Sequence, residues 1–134
     1  MDLSGNRAVE KHLRLAEGLI KTTKISDTAS EYEVRNAFSR SYYPLFHACH
    51  GYLWAAGIDV DSLGRKHGRL HEEMGKWMGR SFGDFLRKSY ELRRMSDYIP
   101  EWIPPPLYSS IARLKTAQKQ CYFVMVTGQR LSSE

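Results

Sequence analysis

Residues 31–56 read EYEVRNAFSRSYYPLFHACHGYLWAA. Placed at 100° per residue, Val34, Phe38, Tyr42, Leu45, Cys49, Tyr52 and Ala56 fall on one side, the spacing of a helix with a buried stripe. Ser30 and Glu33 have the spacing of a capping box at its start, and Gly57 is placed to stop it. The opposite side collects Asn36, Arg40, Tyr43, His47, His50 and Trp54. That side is polar but also aromatic, which a merely solvated face would not be. Pro44 lies inside the helix, and its missing N–H leaves the Arg40 carbonyl without its helical donor, which predicts a kink.

Outward from this segment the chain reads as helix almost throughout. A first helix is predicted over about Gly5–Thr22, where Ala8, Val9, His12, Leu13, Ala16, Leu19 and Ile20 form one stripe. Residues 23–30 are a polar loop. After residues 31–56 comes a third helix over about Ser62–Met78, with Leu63, Leu70, Met74, Trp77 and Met78 buried. Gly79 and Gly83 bracket a break. A fourth helix follows over about Asp84–Tyr98, with Phe85, Leu86, Tyr90, Arg93 and Asp97 on one side, ended by Pro100 and Pro104-Pro105-Pro106. A last helix covers about Leu107–Thr127 through Ile111, Leu114, Ala117 or Gln118, Cys121, Val124 and Met125. Tyr122–Val126 has strand propensity, but no partner strand is evident, so it is kept helical. Four to five helices with short loops predict an all-α, antiparallel up-and-down bundle.

The 134 residues suit one domain spanning residues 1–134, with roughly 65–70% of the unfolded surface buried on folding. Three Trp, 8 Tyr and 5 Phe supply enough apolar area to exclude a disordered chain. Twenty Lys and Arg against 15 Asp and Glu leave a net charge of +5, which permits a polyanionic partner without demanding one. Cys49 and Cys121 lack metal-ligand spacing and lie among apolar residues, so both read as reduced, buried thiols. Residues 1–5 lack the basic-then-apolar pattern of a secretory leader, and no window approaches a membrane span; the expectation is a cytoplasmic protein.

Residues 35–50 resemble the second helix of HEPN domains, small helical bundles of prokaryotes and higher eukaryotes. Ser39, Arg40, Tyr42, Tyr43, Phe46, His47 and Ala48 match the family pattern S-R-x-Y-Y-x-x-F-H-A. Lys66-His67 is similar to the K-H that opens the family's third helix, and Arg94-Met95-Ser96-Asp97-Tyr98 to its R-x-x-D-Y ending. Together these cover about residues 30–100. The resemblance implies a HEPN-like bundle that dimerises. It implies either a metal-independent endoribonuclease built on an Arg–His pair, commonly the toxin beside a nucleotidyltransferase antitoxin, or a binding module without catalysis. It also implies that Tyr98 sits where some family members carry a tyrosine modified by that partner.

Many active members place the Arg–His pair near the end of the third long helix, where this chain has Arg93 and Arg94 followed by Asp97-Tyr98 and no histidine. The pair at family spacing is instead Arg40 and His47. Metal-free RNA cleavage needs a base, an acid and positive charge for the developing phosphorane. Arg40 suits the phosphate and His47 the proton transfer. They lie about 20° apart around the helix and about 10 Å apart along it. His50 or Tyr43 would assist from the same face, and a second copy would close the cleft. Arg65, Lys66, Arg69, Arg93 and Arg94, with Lys76, Arg80, Arg87 and Lys88, make the middle of the chain basic, a phosphate patch if they converge.

Plainer readings stand beside these. Arg40 and His47 also read as a structural or interface pair. Arg93 and Asp97, four residues apart, read as a partly buried ion pair, with Tyr98 as a core anchor. His67 and His71 lack a third ligand at a persuasive spacing and read as a solvated or interface pair, not a metal site. No cofactor and no metal is expected. Two function classes result. One is a nucleic-acid- or nucleotide-binding protein, extending to endoribonuclease chemistry. The other is a non-enzymatic homodimeric module that binds a nucleotidyltransferase or another protein.

Overall fold

A computed structural model describes residues 28–59 and 66–133, together with Lys11 and Arg14. The predicted first helix otherwise lies outside the described residues, as do Leu63, Gly64 and Arg65. Four helices make up the rest: α1 (Glu31–Ala55), α2 (Lys66–Met78), α3 (Arg80–Tyr98) and α4 (Leu107–Ser133). Among the described residues there is no strand, and Tyr122–Val126 is helical as expected.

The start and stop of α1 follow their local chemistry. The Glu33 N–H donates to Ser30 Oγ at 3.2 Å, and the Ser30 N–H donates back to Glu33 Oε1 at 3.3 Å. At the other end Gly57 takes φ +85°, which glycine adopts without strain. The Gly57 N–H then reaches the Trp54 carbonyl at 3.0 Å and the Ile58 N–H the Leu53 carbonyl at 2.8 Å, a Schellman closure. Pro44 does not interrupt the helix, which runs unbroken through it.

α1 is the central element. It packs most extensively on α4, then on α3, and also touches α2, while α2 leans chiefly on α3. From Ser41 to Leu53 only Tyr43 and His47 escape burial. Along that stretch the helix is covered except for the narrow strip that carries these two residues. Tyr42, Leu45, Cys49 and Leu53 of α1 meet Leu70 and Met74 of α2, Leu86 of α3 and Cys121 and Val124 of α4 in the larger core cluster. Val34, Ala37 and Phe38 form a smaller one with Leu92 and Leu114. Both cysteines are free and buried, and burial pushes the Cys121 thiol up to about 12, so it stays protonated.

Three expectations about the other helices are corrected. α3 begins at Arg80, not Asp84, because the break is the single residue Gly79 (φ +101°) and Gly83 lies inside the helix. There α2 and α3 touch backbone to backbone: a Cβ at Gly83 would stand 3.1 Å from Gly75 Cα and 3.1 Å from the His71 carbonyl oxygen. α4 continues past Thr127 to Ser133, with Gly128 inside the helix and packed against the Tyr52 backbone. Trp77 is 48% exposed, lying edge-on to Tyr52 near the end of α2 and only half covered.

The α2–α3 crossing gives a direct test. Gly83→Ala is expected to cost about 2 kcal/mol in urea unfolding, because only backbone can yield to the new methyl group. Gly68→Ala meets nothing within 4 Å and should instead stabilise α2 by up to about 1 kcal/mol.

Candidate functional site

The expected Arg40–His47 face is only partly formed. Arg40 and Tyr43 are exposed and His47 is half-buried, beside the Phe46 ring at 5.3 Å. His50 is fully buried, contrary to its placement on the open face, because the second half of α1 is enclosed by its neighbours. Trp54 is half-buried and packs against the larger core cluster.

His67 and His71 are likewise not a solvated pair. One helical turn apart on α2, they converge on one hydroxyl of α1: Tyr42 Oη lies 2.8 Å from His67 Nδ1 and 3.0 Å from His71 Nε2. The hydroxyl donates to one imidazole and accepts from the other. The His67 ring stacks on Tyr90 of α3, with centroids 4.5 Å apart and planes at 20°. Burial holds the Tyr42 phenol far above its ordinary value. Burial first, then the neighbouring His67 and Arg87, lowers His71 to about 4, so it is neutral at pH 7.

Arg93 extends this knot. Its Nη2 donates to Tyr43 Oη at 2.8 Å, its guanidinium lies 5.1 Å from the Tyr43 ring centre, and its Nε faces Asp97 Oδ2 at 3.6 Å. The expected Arg93–Asp97 ion pair is therefore present, and it is partly buried. Tyr98 is exposed, so it is not a core anchor. The Lys66 side chain lies outside the described residues, and Arg69 pairs with Glu72 at 3.4 Å.

The basic residues do converge in part. A groove of about 650 Å³ runs between α2 and α3, with Lys76, Arg80, Arg87 and Arg94 on its walls and His71 and Tyr90 among its lining. Three acids line the same groove, each facing a base: Asp84 is engaged by Arg87 and lies 4.0 Å from Arg80, Glu72 lies 3.4 Å from Arg69, and Glu91 lies 3.9 Å from Lys88. Arg94 is exposed. Cationic groups from two helices around one concavity, beside an aromatic ring, can hold phosphates and cover a base. Among the described residues no group of three or more His, Cys, Asp or Glu gathers as a metal site. No described helix is long and apolar enough to cross a membrane.

Two structural arginines carried no sequence signal. Arg35 Nη1 and Nη2 reach the carbonyls of Met95, Ser96, Ile99, Pro100 and Trp102 where α3 ends. Arg113 of α4 donates to the Phe85 carbonyl at 3.1 Å and to Ser89 Oγ at 3.2 Å. Each depends on carbonyls or hydroxyls more than 20 residues away, which periodicity cannot reveal. The His67–His71 spacing was visible; their shared hydroxyl was not.

Comparison with family models, with curated proteins and with solved structures finds no match to this chain.

Proposed function

We propose that this helical bundle is a HEPN-like nucleic-acid- or nucleotide-binding protein that holds phosphates in the α2–α3 groove. The observation that carries this reading is the convergence of Lys76, Arg80, Arg87 and Arg94 on one concavity. Steering by a net charge of +5 favours the same class of ligand. The endoribonuclease form of the reading uses Arg40 at the phosphate and His47 as acid or base, with Tyr43 beside them on the outer side of α1 and the second copy of a homodimer completing the cleft. His50 takes no part, being sealed in the core.

Binding of a labelled single-stranded RNA, followed by fluorescence anisotropy across a salt series, tests this. Arg87→Ala with Arg94→Ala is expected to weaken binding at least tenfold and to flatten the salt slope by about 1.4, two contacts at about 0.7 each. An unchanged slope would remove the groove from the binding site. In the same samples, cleavage in EDTA that disappears with His47→Ala assigns the chemistry to α1; cleavage that persists denies it.

A second reading rests on a different surface. Tyr98, Ile99, Ile103 and Tyr108 are exposed within eleven residues, Ile103 at 80%, and Glu101 is the one charged residue among them. Such a patch favours a protein partner, as in the interaction-module class that includes nucleotidyltransferase binders.

A further inference from the structure

α3 carries a second concavity at its other end, on the far side of Arg94 from the basic groove's opening turns. It encloses about 470 Å³ and is lined by Tyr32, Arg35 and Asn36 of α1 and by Ser96, Asp97 and Pro100. Its chemistry differs from that of the groove. The one basic lining residue, Arg35, already points its Nη atoms at five backbone carbonyls. What the cavity offers a ligand is the exposed Tyr32 ring, the Asn36 amide and the Asp97 carboxylate; Ser96 also lines it, with its Oγ buried and without a hydrogen-bond partner. An aromatic face with acceptors beside it suits an unstacked nucleobase read along its Watson–Crick edge.

We propose that this cavity is a nucleobase pocket selective for guanine, taking one base of the strand whose phosphates lie in the α2–α3 groove. The proposal rests on the nucleic-acid-binding reading for its ligand and names what that ligand presents. Asp97 decides the base. An ionised carboxylate only accepts hydrogen bonds, and guanine alone among the four bases offers two adjacent N–H donors, N1–H and N2–H, on that edge. Asp97 Oδ2 is turned toward Arg93 Nε, which orients the carboxylate and leaves it further lone pairs. Tyr32 supplies the stacking surface, and Asn36 a further polar contact. The two sites are adjacent along α3: Arg94 lines the groove, Asp97 the pocket, and residues three apart on a helix are surface neighbours, about 4.5 Å apart along the axis.

The test compares octauridylate with octamers in which one central uridine is replaced by guanosine, adenosine or cytidine. The guanosine octamer should bind about tenfold more tightly than the other three, the discrimination of a good bidentate contact. Asp97→Asn should remove that preference, so that the guanosine octamer binds no more tightly than octauridylate to the same variant. Tyr32→Ala, at a site exposed enough to spare the fold, should also weaken the guanosine octamer. Equal binding of all four octamers, or a preference that survives Asp97→Asn in a variant with native circular dichroism, overturns the proposal. If no octamer binds, the groove reading has failed, and free guanosine judges the pocket alone by NMR. Shifts of the Ser96 and Asp97 amides that vanish in Asp97→Asn support it, and their absence in the wild type overturns it.

Discussion

Arg35→Ala should cost about 4 kcal/mol, as much as truncating a large core side chain. Arg35 stands on α1 with its side chain only 14% exposed, and it gathers the chain where α3 ends. Nη1 donates to the carbonyls of Met95 at 3.4 Å, Ser96 at 3.3 Å and Ile99 at 3.1 Å. Nη2 donates to Pro100 at 2.9 Å and to Trp102. The guanidinium also lies 5.5 Å from the centre of the Trp102 ring, and Nε faces Glu31 at 3.4 Å. Helix ends leave carbonyls without intrahelical donors, and one planar fork satisfies several of them at once. Truncation to alanine strips the charged donor from the Ser96, Pro100 and Trp102 carbonyls, while Met95 and Ile99 keep backbone donors at 3.1 Å, and a hydrogen bond to a charged group contributes about 1.5–3 kcal/mol net. Arg35→Lys keeps the charge but not the fork, so it should recover less than half. Urea unfolding of the three proteins measures this, and a loss under 1 kcal/mol for alanine would show that water replaces the guanidinium without cost.

Acid should destabilise the protein through His71. Its folded value is lowered from 6.5 to about 4, so between those values the unfolded chain binds a proton that the native state refuses. Stability from this group is therefore complete above pH 6.5, falls as pH drops, and is gone by about pH 4. The window spans about 3 kcal/mol at 1.36 kcal/mol per unit. His71→Gln keeps a polar group near Tyr42 but cannot titrate, so its stability should be lower at pH 7 and flatter between pH 6.5 and 4. Unfolding curves at pH 7, 5.5 and 4.5 separate the two proteins. Parallel pH dependence would mean that His71 is not the group responsible.

The same two side chains mark how far the site could be read in advance. The i, i+4 spacing of His67 and His71 placed them on one face of a helix, but a face has no identity until something packs on it. Tyr42 was correctly assigned inward by periodicity, yet nothing local said that its hydroxyl would need two imidazoles. The basic run from residue 65 to residue 94 was equally plain as composition. Which of its members share a groove was not: Lys76, Arg80, Arg87 and Arg94 do, Arg69, Lys88 and Arg93 do not, and the Gly75–Gly83 crossing sets how closely α2 and α3 lie there. His50 failed as a surface group for the complementary reason. A helical wheel distinguishes two sides, and α1 has neighbours on more than one.

The positions of the described helices, the caps at Ser30 and Gly57, most of their buried stripes and the break near Gly79 were determined by the chain itself, because capping, glycine conformation and 3.6-residue periodicity act over a few residues. The end of α4 and the entry into α3 were decided elsewhere, where Gly128 and Gly83 serve as contact points between helices and not as terminators. Which polar side chains open to a ligand was decided only when four helices packed. Burial is a property of what surrounds a residue, and those surroundings come from segments distant in sequence.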